Sequence, residues 1–262
     1  MVAALLGYVL NLALSPTEIG AWGWRIPFVI GCLIVPFLYY IRTTLAETEA
    51  FRRQRHHPRL PEVIAALGEN WAIVLLGMML VVMTTVPFYF ITVYTPTFGR
   101  TVLKLTESES LLATMAIAVS NFIWLPISGA LSDRIGRKPI LVAFTVLGLA
   151  TAYPALAWLV KEPSFERMLT VELWLSFVYA CYNGAMVVAL TEVIPASVRT
   201  AGFSLAYSLA TTLGGSSLAI STWLIERTGD KAAPGYWMSF AAVCGLLATL
   251  ALYRGRAETS QE

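Results

Sequence analysis

Residues 129–139 read GALSDRIGRKP, and this stretch decides the fold because it joins two long apolar runs. Five of the six positions in 133–138 are charged or turn-forming residues. Gly129 is expected to let two helices approach closely and Gly136 to permit a tight loop, while Pro139 suits the first turn of the next helix. The stretch therefore predicts a short, charged joint between two membrane crossings.

The composition of the whole chain indicates a membrane protein. Of its 262 residues, 57% are apolar and 13% are charged, whereas soluble domains carry about 25% charged residues. The charges mostly lie between uncharged runs of about 20 residues, the length that a helix needs to cross the hydrocarbon core. Six such runs are clear, at residues 71–96, 110–131, 139–160, 173–191, 201–225 and 236–253.

These runs predict an all-α membrane protein with four parts. The parts are an N-terminal remnant at 1–41, a central cytoplasmic loop at 42–70, a six-helix transmembrane bundle at 71–253 and a cytoplasmic tail at 254–262. The remnant holds a partial helix at 1–14 and a helix at 26–41. Because residues 1–14 are too few to cross the membrane unaided, we expect the chain to be truncated at its N-terminus.

The distribution of lysine and arginine predicts the orientation. If the runs cross in succession, 11 of the 18 basic residues lie on the face that holds the 42–70 loop, the 132–138 loop, the 192–200 loop and the tail. Basic residues are enriched on the cytoplasmic side of membrane proteins. We therefore expect a multi-pass protein of the cell (inner) membrane with a cytoplasmic C-terminus. The basic 42–70 loop is expected to contact anionic lipid headgroups.

Catalytic and metal-binding patterns are not indicated by the sequence. Cys32, Cys181 and Cys244 lie inside apolar runs without pairing or metal-ligand spacing. His56 and His57 are adjacent, but no carboxylate or cysteine spacing completes a metal site. A membrane-embedded enzyme would need a catalytic pair such as histidine with a carboxylate at matched depths. We therefore expect no enzymatic activity, no cofactor, no metal and no nucleic-acid partner, and the sequence carries no signal of oligomeric state.

A second charged stretch follows two crossings later, again at a predicted cytoplasmic boundary. Residues 192–199 read EVIPASVR. The 129–139 stretch resembles the signature loop of the major facilitator superfamily, G-x-x-x-D-R-x-G-R-[RK], and 192–199 resembles the E-x-x-P-x-x-x-R element of sugar and organic-acid carriers. The matching positions are Gly129, Asp133, Arg134, Gly136, Arg137 and Lys138 in the first and Glu192, Pro195 and Arg199 in the second.

This resemblance implies a cytoplasmic gate. In the superfamily, charged residues of the two loops pair when the inner side is closed and separate when it opens. Here the corresponding residues are Asp133, Arg134 and Arg137 with Glu192 and Arg199. Partly exposed ion pairs can bias two states of similar energy. The alternative, a basic anchor that only sets topology, explains the basic residues but neither the aspartate nor the glycines.

Four further stretches of sequence indicate a particular family within the superfamily. Residues 22–28, 47–51, 92–100 and 182–186 are similar to the metabolite:proton symporter family, and within it most like citrate and tricarballylate carriers. This similarity implies the major facilitator fold, here its C-terminal six-helix bundle plus the last one to two helices of the N-terminal bundle. It also implies secondary active symport of a di- or tricarboxylate with protons by alternating access. The alternative is a truncated remnant that does not transport without the missing helices.

Polar stripes on four of the six runs predict the substrate path. The path residues are Tyr89, Thr92, Asn121, Trp124, Tyr179, Asn183, Ser208 and Thr211. The alternative is that the serines and threonines bond their own backbone and that the stripes serve helix packing. The third and sixth runs are almost wholly apolar and are expected to face lipid.

Charged residues are missing from the middle of these crossings. No lysine, arginine or histidine lies there, and Glu172 and Glu192 are at run ends. A tricarboxylate carries about three negative charges and needs cations or helix N-termini at midplane. We therefore expect the residues that bind the anion and carry the proton to lie on the missing helices.

Overall fold

A computed structural model describes residues 2–44, 60–195 and 198–259. The chain divides into two compact units, Met1–Val63 and Ile64–Glu262. The basic residues predicted to contact lipid at 52–59, including His56 and His57, lie outside the described residues. The same holds for the last three residues of the predicted tail.

The first unit consists of short helices. In order they are α1 (Val2–Ala13), α2 (Pro16–Ala21), a 3-10 turn (Gly23–Arg25), α3 (Ile26–Cys32) and α4 (Ile34–Thr44). The helix α1 occupies most of the predicted partial helix at 1–14, whereas the helix predicted at 26–41 is interrupted at Leu33. Phe28 and Tyr39 are among many large apolar or aromatic side chains that α3 and α4 expose, as expected of lipid-facing helices.

All the secondary-structure elements in the described residues of the second unit are helices. Its elements are α5 (Leu60–Glu69, which begins in the first unit), α6 (Trp71–Tyr89), a π-helical segment (Phe90–Tyr94), α7 (Thr95–Thr101), α8 (Glu107–Ile135), α9 (Arg137–Lys161), α10 (Phe165–Val193), α11 (Arg199–Gly215), α12 (Ser217–Thr228) and α13 (Pro234–Thr259). The loop predicted at 42–70 is therefore partly wrong, because α4 extends to Thr44 and α5 occupies its end. The apolar spacing of Ile64 and Leu67 suits this helix.

Six helical stretches of the described chain are long and apolar enough to cross a membrane. They are Gly23–Thr44, Trp71–Thr101, Glu107–Ile135, Arg137–Lys161, Phe165–Val193 and Pro234–Arg254. Five of the six crossings predicted for the bundle are among them. The predicted crossing at 201–225 is instead split at Ser216 into α11 and α12. Two glycines directly before Ser216 favour this break, because glycine weakens a helix interior.

The helix α6 lies at the centre of the second unit, packed against α10, α11 and α13. Small residues allow these contacts, and a Cβ on Gly214 of α11 would stand only 2.9 Å from the backbone carbonyl carbon of Thr85. The helices α9 and α13, predicted to face lipid, pack against each other. Their exposed side chains include Trp158, Phe240 and Leu247, which is an apolar surface suited to lipid.

Glu172 differs from its predicted position. The sequence placed it at the end of a run, but α10 begins at Phe165, so Glu172 lies two turns inside the helix and is fully buried. The charged residues Glu166, Arg167 and Glu172 interrupt the apolar run without ending the helix. The length of the apolar run therefore underestimated the burial of the Glu172 carboxyl.

Gly136 makes the whole connection between α8 and α9, at what we name the motif end of the bundle. Its φ of 93° and ψ of 157° fall in a region that only glycine adopts without strain. This confirms the predicted tight loop, and Pro139 lies in the first turn of α9 as expected.

We expect Gly136→Ala to lower the free energy of unfolding by about 1–2 kcal/mol, because the added Cβ strains this backbone conformation. Thermal unfolding of the detergent-solubilised protein would measure the loss. Gly68→Ala is the matched control, since Gly68 is helical, exposed and without neighbours within 4 Å of an added Cβ. Equal midpoints for the two variants would contradict the strain.

Candidate functional site

Arg137 is the centre of the charged site at the motif end. Its guanidinium pairs with Asp133 at 2.5 Å, one turn back on α8, and with Glu192 of α10 at 3.5 Å. It also donates to the Ser132 hydroxyl at 2.9 Å, and Ser132 in turn donates to the Gly129 carbonyl. The two sequence stretches therefore meet in space through one arginine. Ser132 was missed because its position in the stretch is not part of the resemblance.

The other predicted gate residues lie around this pair. Arg134 and Lys138 are exposed. Arg199 donates from Nε to the Ile194 carbonyl at 3.3 Å and so satisfies a backbone group just past the end of α10. Pro195 follows Ile194, whose extended conformation terminates that helix. The structure thus brings Arg137 and Glu192 together, whereas their gating role stays a prediction.

The close helix approach predicted at Gly129 depends mainly on Gly184. A Cβ on Gly129 would lie 3.8 Å from the Gly184 carbonyl oxygen, an ordinary contact. A Cβ on Gly184 would lie 2.7 Å from the Leu125 carbonyl oxygen and 3.0 Å from the Gly129 nitrogen. Ser128 also donates to the Cys181 carbonyl across this contact. A close helix approach does occur here, between α8 and α10, but the glycine that it requires is Gly184 and not Gly129.

An aromatic cavity of about 350 Å³ lies between α6, α10 and α11. Its lining residues are Thr84, Thr85, Phe88, Tyr89, Tyr179, Tyr207 and Thr211. The Phe88 and Tyr179 rings are 5.8 Å apart between centroids, and the Phe88 and Tyr89 rings 5.6 Å. No ionisable group other than tyrosine belongs to this described lining. The cavity therefore offers aromatic faces and neutral hydroxyl groups.

Two buried polar atoms near this cavity have no hydrogen-bond partner among the described residues. They are the Thr84 hydroxyl, which belongs to the lining, and Asn183 Oδ1, one helical turn from Tyr179. The amide nitrogen of Asn183 donates to the Tyr179 hydroxyl at 3.4 Å. Buried polar groups are nearly always bonded, so a bound solute or water is expected to satisfy them. Thr85 is different, because it donates to the Ala210 carbonyl at 2.9 Å.

The structure gathers only some of the predicted path residues. Tyr89, Tyr179 and Thr211 line the cavity, and Ser208 lines a neighbouring cavity of about 470 Å³ that also includes Thr211. Asn183 stands beside Tyr179.

The remaining path residues make helix contacts instead. Asn121 accepts a hydrogen bond from Ser176 at 2.9 Å, and the Trp124 ring packs edge-on to Phe177 at 4.7 Å. Thr92 donates to the Phe88 carbonyl of its own helix. These three residues follow the packing alternative that the sequence left open.

The sequence reasoning missed Tyr207, which lines both cavities. It lies three residues after Ser204 and four before Thr211 on α11, so the helical spacing was available as a signal. Phe88 and Thr84 were missed as well, because the polar stripe predicted on α6 runs through Thr85, Tyr89 and Thr92. Phe88 and Thr84 each lie one residue before a member of that stripe.

Comparison with known proteins now decides the family. The family profile described as Major Facilitator Superfamily matches residues 1–219. The chain belongs to the major facilitator superfamily. This major facilitator chain is accordingly an all-α, multi-pass membrane protein. Its 129–139 stretch, at the motif end, is the part that resembles the signature loop of the superfamily.

Several curated proteins are similar to this major facilitator chain. It is 60% identical over 262 residues to a citrate-proton symporter of Klebsiella pneumoniae, covering 100% of this chain and 59% of the relative. A citrate-proton symporter of Salmonella typhi is 56% identical over 97% of this chain and 58% of the relative. A proline/betaine transporter of Salmonella typhimurium is 28% identical over 88% of this chain. The chain thus spans under two thirds of these relatives, and no solved structure matches it significantly.

Proposed function

We propose that this chain forms part of a secondary active transporter that carries citrate, or a similar di- or tricarboxylate, with protons by alternating access. The observation that carries the proposal is the 60% identity to a citrate-proton symporter along the full chain. We also propose that the protein lies in the cell (inner) membrane with its motif end facing the cytoplasm. This orientation would also place the C-terminus in the cytoplasm. It also treats the chain as a carrier and not an enzyme.

The aromatic cavity supports this proposal as one wall of a substrate site. The hydroxyl groups of Tyr89, Tyr179 and Tyr207 are neutral donors that suit carboxylate oxygens. A tricarboxylate carries about three negative charges, and a site near the membrane midplane must balance them. Because the described lining has no cation, the balancing charges are proposed to lie on helices of the other half of the carrier.

The pair between Arg137 and Glu192 supports alternating access. It joins α9 to the end of α10, and both groups are partly exposed, at 17% and 41% of their side-chain surfaces. Exposed pairs contribute only about 0.2–1 kcal/mol, which lets such a contact form and break during a cycle. We propose that this pair holds the cytoplasmic side closed.

Uptake into liposomes tests the proposal. The purified chain is reconstituted with a pH gradient and labelled citrate, and uptake above that of empty vesicles is expected if the chain transports without further helices. The second candidate is a remnant that needs further helices, which is favoured by the coverage of only 59% of the Klebsiella pneumoniae relative. No uptake by the chain alone, with uptake restored when the unmatched part of that relative is co-expressed, would favour this candidate.

We expect Tyr179→Phe and Tyr207→Phe each to weaken citrate affinity roughly fivefold, because each loses a hydrogen bond worth about 1 kcal/mol. Scintillation proximity binding of labelled citrate would measure the change. Tyr94→Phe is the matched control, since Tyr94 is buried outside the cavity and contacts Thr222 at 3.4 Å. Equal affinities for all three variants would remove the cavity from the substrate path.

A further inference from the structure

Glu172 is a fully buried carboxyl that the proposed transport site does not use. It lies on α10 with Met168 and Leu175 one turn to either side, and both of those side chains are buried as well. The Thr95 hydroxyl of α7 lies 2.9 Å from Glu172 Oε1. The second oxygen, Oε2, is buried without a hydrogen-bond partner among the described residues. The carboxyl is therefore covered but incompletely bonded.

No charge on the surrounding elements compensates it. At the end of the bundle that holds Glu172, the acidic and basic side chains on or next to these elements are Arg100, Lys104, Glu107, Glu109, Lys161, Glu162, Glu166 and Arg167. The others on α8, α9 and α10, namely Asp133, Arg134, Arg137, Lys138 and Glu192, lie at the motif end. Arg167 instead pairs with Glu162, and Glu109 caps its own helix at Thr106. Among the described residues, no ion pair reaches Glu172. Burying an unpaired carboxylate is strongly unfavourable, whereas the neutral acid is tolerated.

The hydrogen bonds around Thr95 fit a neutral acid. The Thr95 hydroxyl is 3.2 Å from the Phe90 carbonyl and 2.9 Å from Glu172, and it has a single proton to donate. If Glu172 is protonated, its O–H donates to Thr95, and Thr95 donates to Phe90. Both contacts are then satisfied at once. If Glu172 is ionised, Thr95 must turn its proton to the carboxylate and leave the Phe90 carbonyl.

The Phe90 carbonyl belongs to the π-helical segment that joins α6 to α7. The Thr95 backbone N–H already donates to this carbonyl, so the Thr95 hydroxyl adds a second bond to it. Single π-helical turns within α-helices frequently occur at functional sites. The protonation state of Glu172 is therefore linked to the bonding of this segment through one side chain.

We propose that Glu172 is a reversible proton-binding site, which holds a proton while α7 packs against α10 and releases it when water reaches that contact. The ligand is a proton, taken up by the carboxylate and returned to water, so no other reactant is needed. The site would suit the proposed proton coupling, but the inference does not depend on which solute is carried.

Infrared difference spectroscopy of the full chain in nanodiscs during a pH titration tests this proposal. We expect a band from a protonated carboxylic acid at neutral pH that disappears at higher pH. Glu172→Gln should remove the band, whereas Glu166→Gln should keep it, because Glu166 is exposed on the same helix. Thr95→Val should shift the band frequency, because the acid loses its partner, and this second variant serves if Glu172→Gln does not fold.

Three outcomes would overturn the proposal. They are a band that persists in Glu172→Gln, a band whose frequency does not respond to Thr95→Val, and a band that no alkaline pH removes. The last would make Glu172 a permanently neutral structural acid. A chain that shows the expected titration but no citrate uptake would leave the proton site standing and count against the proposed function alone.

Discussion

Arg137→Glu is expected to reduce citrate uptake roughly tenfold. The substitution removes ion pairs to Asp133 and Glu192 and places a third carboxylate beside them. The Asp133 contact is local and is kept when the end opens, so only the lost attraction to Glu192 and the added repulsion from it distinguish the two states. At about 0.2–1 kcal/mol each, they destabilise the closed state by about 0.4–2 kcal/mol. A bias of 1.4 kcal/mol shifts a two-state population tenfold. Initial rates in proteoliposomes would measure the loss.

Two further variants make this result specific to the Arg137 pair. Arg134→Glu makes the same charge change in the same stretch, but Arg134 is exposed, so a smaller loss is expected. Combining Arg137→Glu with Glu192→Arg restores an opposite-charge contact between the two stretches and should recover part of the uptake. Equal losses for the Arg134 and Arg137 variants would mean that net basic charge matters and the pair does not.

Gly184→Val is expected to lower the free energy of unfolding by about 3 kcal/mol, the upper end for overpacking. A Cβ at this position meets the backbone of α8 at Leu125 and Gly129, and backbone atoms cannot move aside as a flexible side chain can. The helices must separate, which also breaks the Ser128 hydrogen bond to Cys181. Thermal unfolding and the monodisperse fraction in detergent would show the effect.

Gly129→Ala is the matched control on the facing helix. Its added Cβ meets the Gly184 carbonyl oxygen at 3.8 Å, an ordinary contact, and alanine favours a helix over glycine. We expect unchanged or slightly higher stability. A variant at Gly129 as unstable as the one at Gly184 would show that the helices are closer than the structure indicates.

Apolar run length predicted most of this fold, because each crossing must satisfy its backbone within one helix. Run length failed to predict helix boundaries that depend on other features of the sequence, namely glycines inside a run and amphipathic spacing. The break at Ser216 follows from two glycines inside a run that stays apolar on both sides. The helix at Leu60–Glu69 is amphipathic and not wholly apolar, so a search for membrane runs assigned it to a loop.

The candidate site was predicted less completely, for a physical reason. The spacing of residues on one helix gives a face, but it does not say which neighbouring helix covers that face. Asn121 and Tyr179 gave similar signals, yet Asn121 accepts a bond from Ser176 and Tyr179 opens to a cavity. The meeting of Arg137 with Glu192 followed from the family resemblance and not from spacing. The burial of Glu172 was underestimated, because it depends on the packing of α7 against α10, which the sequence does not show.

The position of Asp133 one turn before Arg137 has a consequence for the energy of opening at the motif end. In the proposed opening, Glu192 moves away while Asp133 stays with the same guanidinium, because only Gly136 separates the helix of Asp133 from the helix that Arg137 begins. Arg137 then keeps a carboxylate partner throughout, and the Glu192 carboxylate that separates from it is already partly hydrated. Charge separation therefore adds little to the activation barrier, and the rate at which this end opens should depend weakly on ionic strength.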